Sequence, residues 1–259
     1  MEIATTMEWI TVIGSVGVIV SSLEFLAMGR EFSPGGLFDW TVTRQGYSTS
    51  ALRILDRFFG HPAFWYWLAV RLIAACALVT GQITGWANTA LLLLITFISM
   101  AVNIRIPFGL EGAEQMTVIV FSILGLASFF PGDANVQKAC MWFLTCQCCL
   151  AYITAGIAKY RTAGWREGVF LSAILKTRSY GQPWLARLAA RPNYARVLSA
   201  GIIGFQCLFV IVLFSAKSVV LPLLIAGVLF HAFNAYAMGL NIFFWAFLAT
   251  YPAIWYCRS

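Results

Sequence analysis

Apolar residues in this chain come in long blocks rather than in alternation. Eight stretches of membrane length, at 9–28, 64–80, 86–102, 113–130, 139–158, 197–215, 218–238 and 241–256, carry very little charge. Uninterrupted apolar runs of that length predict helices that cross a bilayer. The breaks between them hold turn residues: "SPGG" at 33–36, "FPGD" at 130–133 and "MGLN" at 238–241. Two connections are long. In the first, 30–62, the stretch "TSALRILDRFFG" sets apolar and charged residues at helical spacing and predicts a helix lying on the membrane surface. In the second, 159–196, residues 167–176 predict another. The fold class is therefore all-α: a polytopic membrane protein with a bundle of about eight transmembrane helices and amphipathic surface helices, forming one transmembrane domain over 1–259.

Composition agrees with the pattern. The chain is 61% hydrophobic and 10% charged, more apolar surface than a soluble domain of 259 residues could bury. The first block is preceded by Glu2 and Glu8 where a signal peptide would be basic, and it is too long for a cleaved apolar region, so it reads as a retained span. Crossing parity collects thirteen basic residues, from Arg30 to Arg196, in the loops of one side, against Lys138, Lys217 and Arg258 on the other. The positive-inside rule puts the thirteen in the cytoplasm and both termini outside. The net charge of +7 is thus an orientation signal, and no basic stripe with interleaved aromatics points to nucleic acid. Seven cysteines are scattered, and "CQCC" sets Cys146 and Cys149 on one helical face. No second cysteine pair or nearby histidine completes a metal site, so they read as small hydrophobes and no metal is expected.

Charged or titratable groups inside spans are costly, and here they are Glu24, Arg71, Glu114, Lys159 and His231. Crossing parity gathers Glu24, Glu111, Glu114, Lys159 and His231 in one leaflet, with His231 roughly 12 Å below the turn at Gly239. Plain structural readings exist for each. Lys159, the residue on which an apolar span stops, either snorkels to the headgroups or is an amine at the edge of a dry pocket. His231 and Asn234 suit hydrogen bonds to neighbouring helices, Glu24 and Arg71 an ion pair between the first two spans, and His61 an interfacial loop.

Two stretches together resemble a known family. "YITAGIAKYRTAGWREG", from Tyr152, is similar to the segment Y-x-x-A-G-x-x-K followed by W-x-E-G that carries the active-site lysine of vitamin K-dependent γ-glutamyl carboxylases. "FHAFNAYAMGLNIFFWAFLATYPAIWY", from Phe230, resembles their later segment F-H-x-x-N-x-x-x-x-G-x-x-x-F. The wider group is the HTTM family of mostly bacterial membrane proteins, and the resemblance extends from the first span to the last. In the carboxylases the lysine deprotonates a reduced naphthoquinone, whose anion reacts with dioxygen and ends as an epoxide. The strong oxygen base formed on the way takes a proton from a glutamate γ-carbon, to which carbon dioxide adds.

The resemblance implies Lys159 and His231 as catalytic residues. It implies Tyr152, Trp165 and Asn234 as substrate-binding residues, with Glu111 and Glu114 in the zone "NIRIPFGLEGAEQM", where the carboxylases carry a further histidine and this chain has none. The implied cofactors are a reduced naphthoquinone of vitamin K or menaquinone type and O2, with CO2 for a carboxylation. The implied partners are the lipid bilayer, a lipophilic quinol entering from it, and a peptide substrate or a co-encoded partner protein, in a bacterial plasma membrane. The carboxylases carry a large propeptide-binding domain beyond the spans, and with the chain ending after the eighth block processive protein carboxylation is not the expected activity. The physical chemistry suits the lysine: an amine in an apolar pocket loses hydration, and in its neutral form it is a competent general base. The alternative function is a non-catalytic membrane partner in maturation or export of a secreted peptide.

Overall fold

A computed structural model describes residues 2–60, 62–106, 112–177 and 182–258; His61 and Glu111 lie outside them. The described residues are helical, with no strand among them. The helices are α1 (Ile3–Ala27), α2 (Trp40–Thr43), α3 (Thr49–Phe59), α4 (Ala63–Val79), α5 (Gly85–Arg105), α6 (Ala113–Phe129), α7 (Ala134–Arg161), α8 (Ala163–Arg166), α9 (Val169–Leu175), α10 (Pro183–Ala189), α11 (Pro192–Leu208), α12 (Lys217–Met238), α13 (Asn241–Leu248) and α14 (Tyr251–Cys257). A short 3-10 turn, Phe209–Leu213, prolongs α11.

Among the described residues, α1, α5, α7, α11 with its extension, and α12 are each long and apolar enough to cross a membrane. At 1.5 Å per residue the 28 residues of α7 span about 42 Å, more than a hydrocarbon core of about 30 Å. Helices α4 and α6, of 17 residues each, span about 25 Å. Seven of the eight expected blocks thus form one helix apiece. The eighth does not: it is divided into α13 and α14 at Ala249–Thr250. Pro252 follows directly, and a proline has no N–H to continue a helix but suits the first turn of a new one.

The chain divides into two compact units, Ala4–Cys140 and a second beginning at Met141. In the first, α5 packs on α4 and α6, and the predicted surface helix α3 packs on α4. Its Phe59 is buried, with Leu52, Leu55 and Phe58 against the same aromatic core of Phe25, Phe32, Phe38, Trp40 and Phe64, while Arg53 is exposed. The Arg105 guanidinium is enclosed by Phe32, Trp40 and Phe64 at 5.3–5.6 Å from their ring centres and donates to Thr43 Oγ1. In this unit an open cleft of about 500 Å³, with Glu8, Thr11, Asn88, Thr89 and Gln137 on its wall, includes none of the candidate residues.

Asp39 closes the turn before α2: its carboxylate accepts from Thr41 N at 2.9 Å and Gly35 N at 2.8 Å. These backbone donors, Gly35 first and then Thr41, hold the carboxyl below its ordinary range. A carboxyl lowered on folding stabilises the turn above its ordinary value, and that contribution is lost as pH falls through the lowered one. Asp39→Ala is accordingly expected to speed amide hydrogen exchange over residues 33–43 at pH 7. The difference from wild type should shrink as the medium is acidified below the lowered value. Equal exchange rates at pH 7 would remove this role.

In the second unit α12 packs on α13 and α14, while α8, α9 and α10 pack together with α11. A small core of Leu171, Leu175, Leu185, Ala189 and Ala237 joins the surface helices to the end of α12, with Trp165 and Met238 against it. The expected surface helix at 167–176 is α9; α10 was not anticipated.

Candidate functional site

Helical periodicity sets Tyr152, Gly156 and Lys159 on one face of α7, at i, i+4 and i+7. Tyr152 is buried, with its ring stacked on Phe209 at 4.0 Å and edge-on to Phe205 and Phe247. Gly156 is where α7 meets α11, and a Cβ there would lie 2.7 Å from Cys207 Sγ and 2.9 Å from its backbone nitrogen. Lys159, two turns and about 10 Å beyond Tyr152, is half-buried. Two residues later α7 ends, and the short α8 brings Trp165 back to the lysine, with Nζ 5.3 Å from the ring centre. Among the described residues Lys159 has no carboxylate and no hydrogen-bond partner for its ammonium, only this aromatic face.

The rest of the motif holds Trp165 in place. Its backbone oxygen accepts from Ser199 Oγ, and its ring packs against the core that includes Ala237 of α12. Gly168 adopts φ +77°, and a Cβ on it would collide with the Ala195 carbonyl carbon. Gly156 and Gly168 therefore serve backbone approach rather than chemistry.

His231 is buried on α12, 4% exposed. Its Nε2 is 2.8 Å from Tyr152 Oη, and Tyr152 Oη is 2.7 Å from Tyr251 Oη on α14. Phe247 stacks on the imidazole at 4.5 Å and Phe243 at 6.3 Å. The other imidazole nitrogen, Nδ1, is buried without a partner. Asn234, one turn later, is half-buried, and its carbonyl accepts from Leu240 N at the helix end. Tyr152 and His231 are thus brought together, and Lys159 and Trp165 form a second pair further along α7; no hydrogen bond joins Lys159 to His231.

Tyr251 was not singled out from sequence. It lies inside the eighth apolar block, where an aromatic reads as an ordinary lining residue. The only local signal is Pro252, which marks the chain break that turns Tyr251 inward.

Glu114 belongs to the first unit. Its Oε2 receives Arg71 Nη2 at 2.8 Å, with both side chains essentially excluded from solvent, and Arg71 Nε donates to Ser99 Oγ at 3.2 Å. The partner expected for Arg71 was Glu24. The carboxylate bonded to the guanidinium is instead that of Glu114, and the remaining nitrogen, Nη1, has no hydrogen-bond partner. Parity had put both acids at one depth, but only helix rotation, which parity does not contain, decides which one faces α4. As a substrate-binding candidate, Glu114 is engaged on one oxygen and has Oε1 buried and unpaired.

Among curated proteins and among solved structures nothing matches this chain. A family model described as the HTTM domain matches residues 116–258. That stretch is more than half of the chain and contains Tyr152, Lys159, Trp165, His231, Asn234 and Tyr251, and it begins two residues after Glu114. With its several apolar spans, the chain is a multi-pass membrane protein that belongs to the HTTM family, whose domain is that of vitamin K-dependent carboxylase.

Proposed function

We propose that this protein is a membrane-embedded enzyme, in a bacterial plasma membrane, that uses a reduced naphthoquinone and dioxygen. Lys159 deprotonates the quinol, the quinone leaves as its epoxide, and the oxygen chemistry is coupled to modification of a peptide or small molecule, with carboxylation as the model reaction. The observation that carries this reading is Lys159 itself: an amine with no acid beside it among the described residues, set on an aromatic face, on the same face of α7 as the buried Tyr152 that meets His231. A lysine that serves only as an interfacial anchor needs no such alignment.

The residues fit a flat aromatic ring bearing oxygens. Phe243 and Trp165 are partly exposed aromatic rings, and the unpartnered Nδ1 of His231 is a buried polar group to which a ligand oxygen can bond. When bound, the quinol supplies the carbon framework that captures dioxygen. Lys159 takes the hydroxyl proton, which requires its unprotonated form. Trp165 orients the amine, and the apolar surroundings of Tyr152 and His231 would exclude water from a bound ring.

The test is turnover. Purified protein in detergent, given reduced menaquinone anaerobically and then exposed to air enriched in ¹⁸O₂, is expected to form the labelled epoxide by mass spectrometry. Folded protein that forms no epoxide from menaquinol or from a short-chain naphthoquinol would remove the reading.

A further inference from the structure

His231, Tyr152 and Tyr251 form a closed chain of polar groups, 4%, 2% and 5% exposed, with no acid in it. Its rings are locked: Tyr152 is stacked on Phe209 at 4.0 Å and His231 on Phe247 at 4.5 Å. Gly227, one turn before His231, leaves the space that the Tyr251 hydroxyl occupies. A Cβ there would collide with Tyr251 Oη and sit 3.4 Å from Tyr152 Oη. The hydroxyls are therefore held against each other by backbone and stacking, and their hydrogen-bond directions follow from counting protons.

With a neutral imidazole, one ring nitrogen donates and the other accepts. Suppose Tyr251 donates to Tyr152 and Tyr152 donates to Nε2. Both hydroxyl protons are then used, the imidazole proton on Nδ1 is the one open donor, and the acceptor left empty is the phenol oxygen of Tyr251, which already donates. Suppose instead that Nε2–H donates to Tyr152 and Tyr152 donates to Tyr251. The Tyr251 proton then has no acceptor and Nδ1 has no donor, so two buried groups are left open. If both Nε2–H and Tyr251 donate into Tyr152, the Tyr152 proton and Nδ1 are the two left open. Every arrangement leaves one proton unmatched, but only the first fills the imidazole acceptor and strands the weaker phenol oxygen instead, and that difference decides among them.

We infer that Tyr152, itself fed by Tyr251, holds His231 in the tautomer protonated on Nδ1, so that the histidine offers an N–H to an acceptor oxygen of the bound substrate. Tyr152 and Tyr251 are positioning residues, and the ligand chemistry is a carbonyl or oxyanion oxygen on an aromatic ring. The inference rests on His231 belonging to the proposed site, and it divides the labour there: Lys159 removes the proton, and His231 stabilises the oxygen left behind without being the base.

The experiment reads the tautomer directly. The chain has two histidines, so His61→Gln leaves His231 as the only one for ¹⁵N-histidine labelling of the full protein in detergent micelles. Nδ1 is expected to carry the proton and Nε2 to appear as an acceptor. Nε2 protonated, or both nitrogens protonated, would overturn the inference in this one spectrum. Tyr152→Phe is expected to give a mixture of tautomers. Tyr251→Phe is expected to keep the proton on Nδ1 while the Nε2 signal moves toward that of an unbonded nitrogen. Either variant leaving the wild-type spectrum unchanged counts against the relay. Menadione, the probe for an acceptor oxygen, is expected to shift the Nδ1–H signal. An unmoved signal overturns the donor role, and epoxide formation, measured separately, then tells whether the proposed function has fallen with it.

Discussion

Lys159→Met is expected to lower epoxide formation by at least about 100-fold, the lower range of what a positioned general base contributes. Methionine keeps the length and apolar stem of lysine, so Trp165 retains a side chain to pack on. The more telling variant is Lys159→Arg. A lysine that merely snorkels, or that pins Trp165 through its charge, is served as well by arginine, which stacks on aromatic faces at least as readily. A base is not, because a guanidinium does not give up its proton in a protein. The expected result is therefore that Arg is as inactive as Met while both variants purify with wild-type yield and thermal midpoint. Recovery of a third or more of the activity in Lys159→Arg would return the lysine to the role of an anchor. Trp165→Leu separates the two further, because losing the aromatic face should weaken the orientation of the amine and reduce turnover less than loss of the amine itself.

How far the sequence disclosed this arrangement varies with the physics involved. Spans are set by length and apolar content, which are local, so α1, α5, α7 and α12 lie within a few residues of their expected bounds, apart from extra turns into flanking polar sequence such as Ala134–Lys138 of α7. The eighth block failed for an equally local reason that hydropathy averages away: Pro252 is apolar, yet it denies the backbone a donor at the break. The facing of side chains is different in kind. That Tyr152 and Lys159 share a face follows from their spacing, but that His231 touches Tyr152 rather than lysine depends on how α7 and α12 are rotated, which no single segment encodes. Trp165 reaches Lys159 only because the chain reverses within α8, and Tyr251 reaches Tyr152 only because residue 227 is a glycine. The family resemblance supplied Lys159, His231 and Trp165 without that geometry. It gave no hint of Tyr251, nor of the Arg71–Glu114 pair, which precedes the matched region.

That pair is where the largest loss of stability is expected. Arg71 and Glu114 are 0% and 1% exposed, bonded at 2.8 Å, with Ser99 on the guanidinium and one nitrogen and one oxygen left unpaired. Removing one charge strands the other among apolar helices, and breaking a buried pair in this way costs about 3–5 kcal/mol. Arg71→Met and Glu114→Ala are each expected to lose that much, seen as a large drop in the thermal midpoint in detergent or as failure to purify. The double variant Arg71→Met with Glu114→Leu has no stranded charge and is expected to recover most of the loss, because the desolvation that opposes a buried ion pair disappears with both partners. Glu114 lies in the first turn of α6, where the helix N-terminus favours a carboxylate. Glu114→Ala therefore gives up that interaction as well, and it should be somewhat the worse of the two single changes. Additive losses in the double variant would mean that each residue acts through other partners. Recovery together with wild-type epoxide formation would assign the pair to the scaffold of the first unit and exclude Glu114 from substrate binding. Recovery of stability without recovery of turnover would instead return the unpaired Oε1 of Glu114 to the chemistry, since folding and catalysis would then have been separated at one carboxylate.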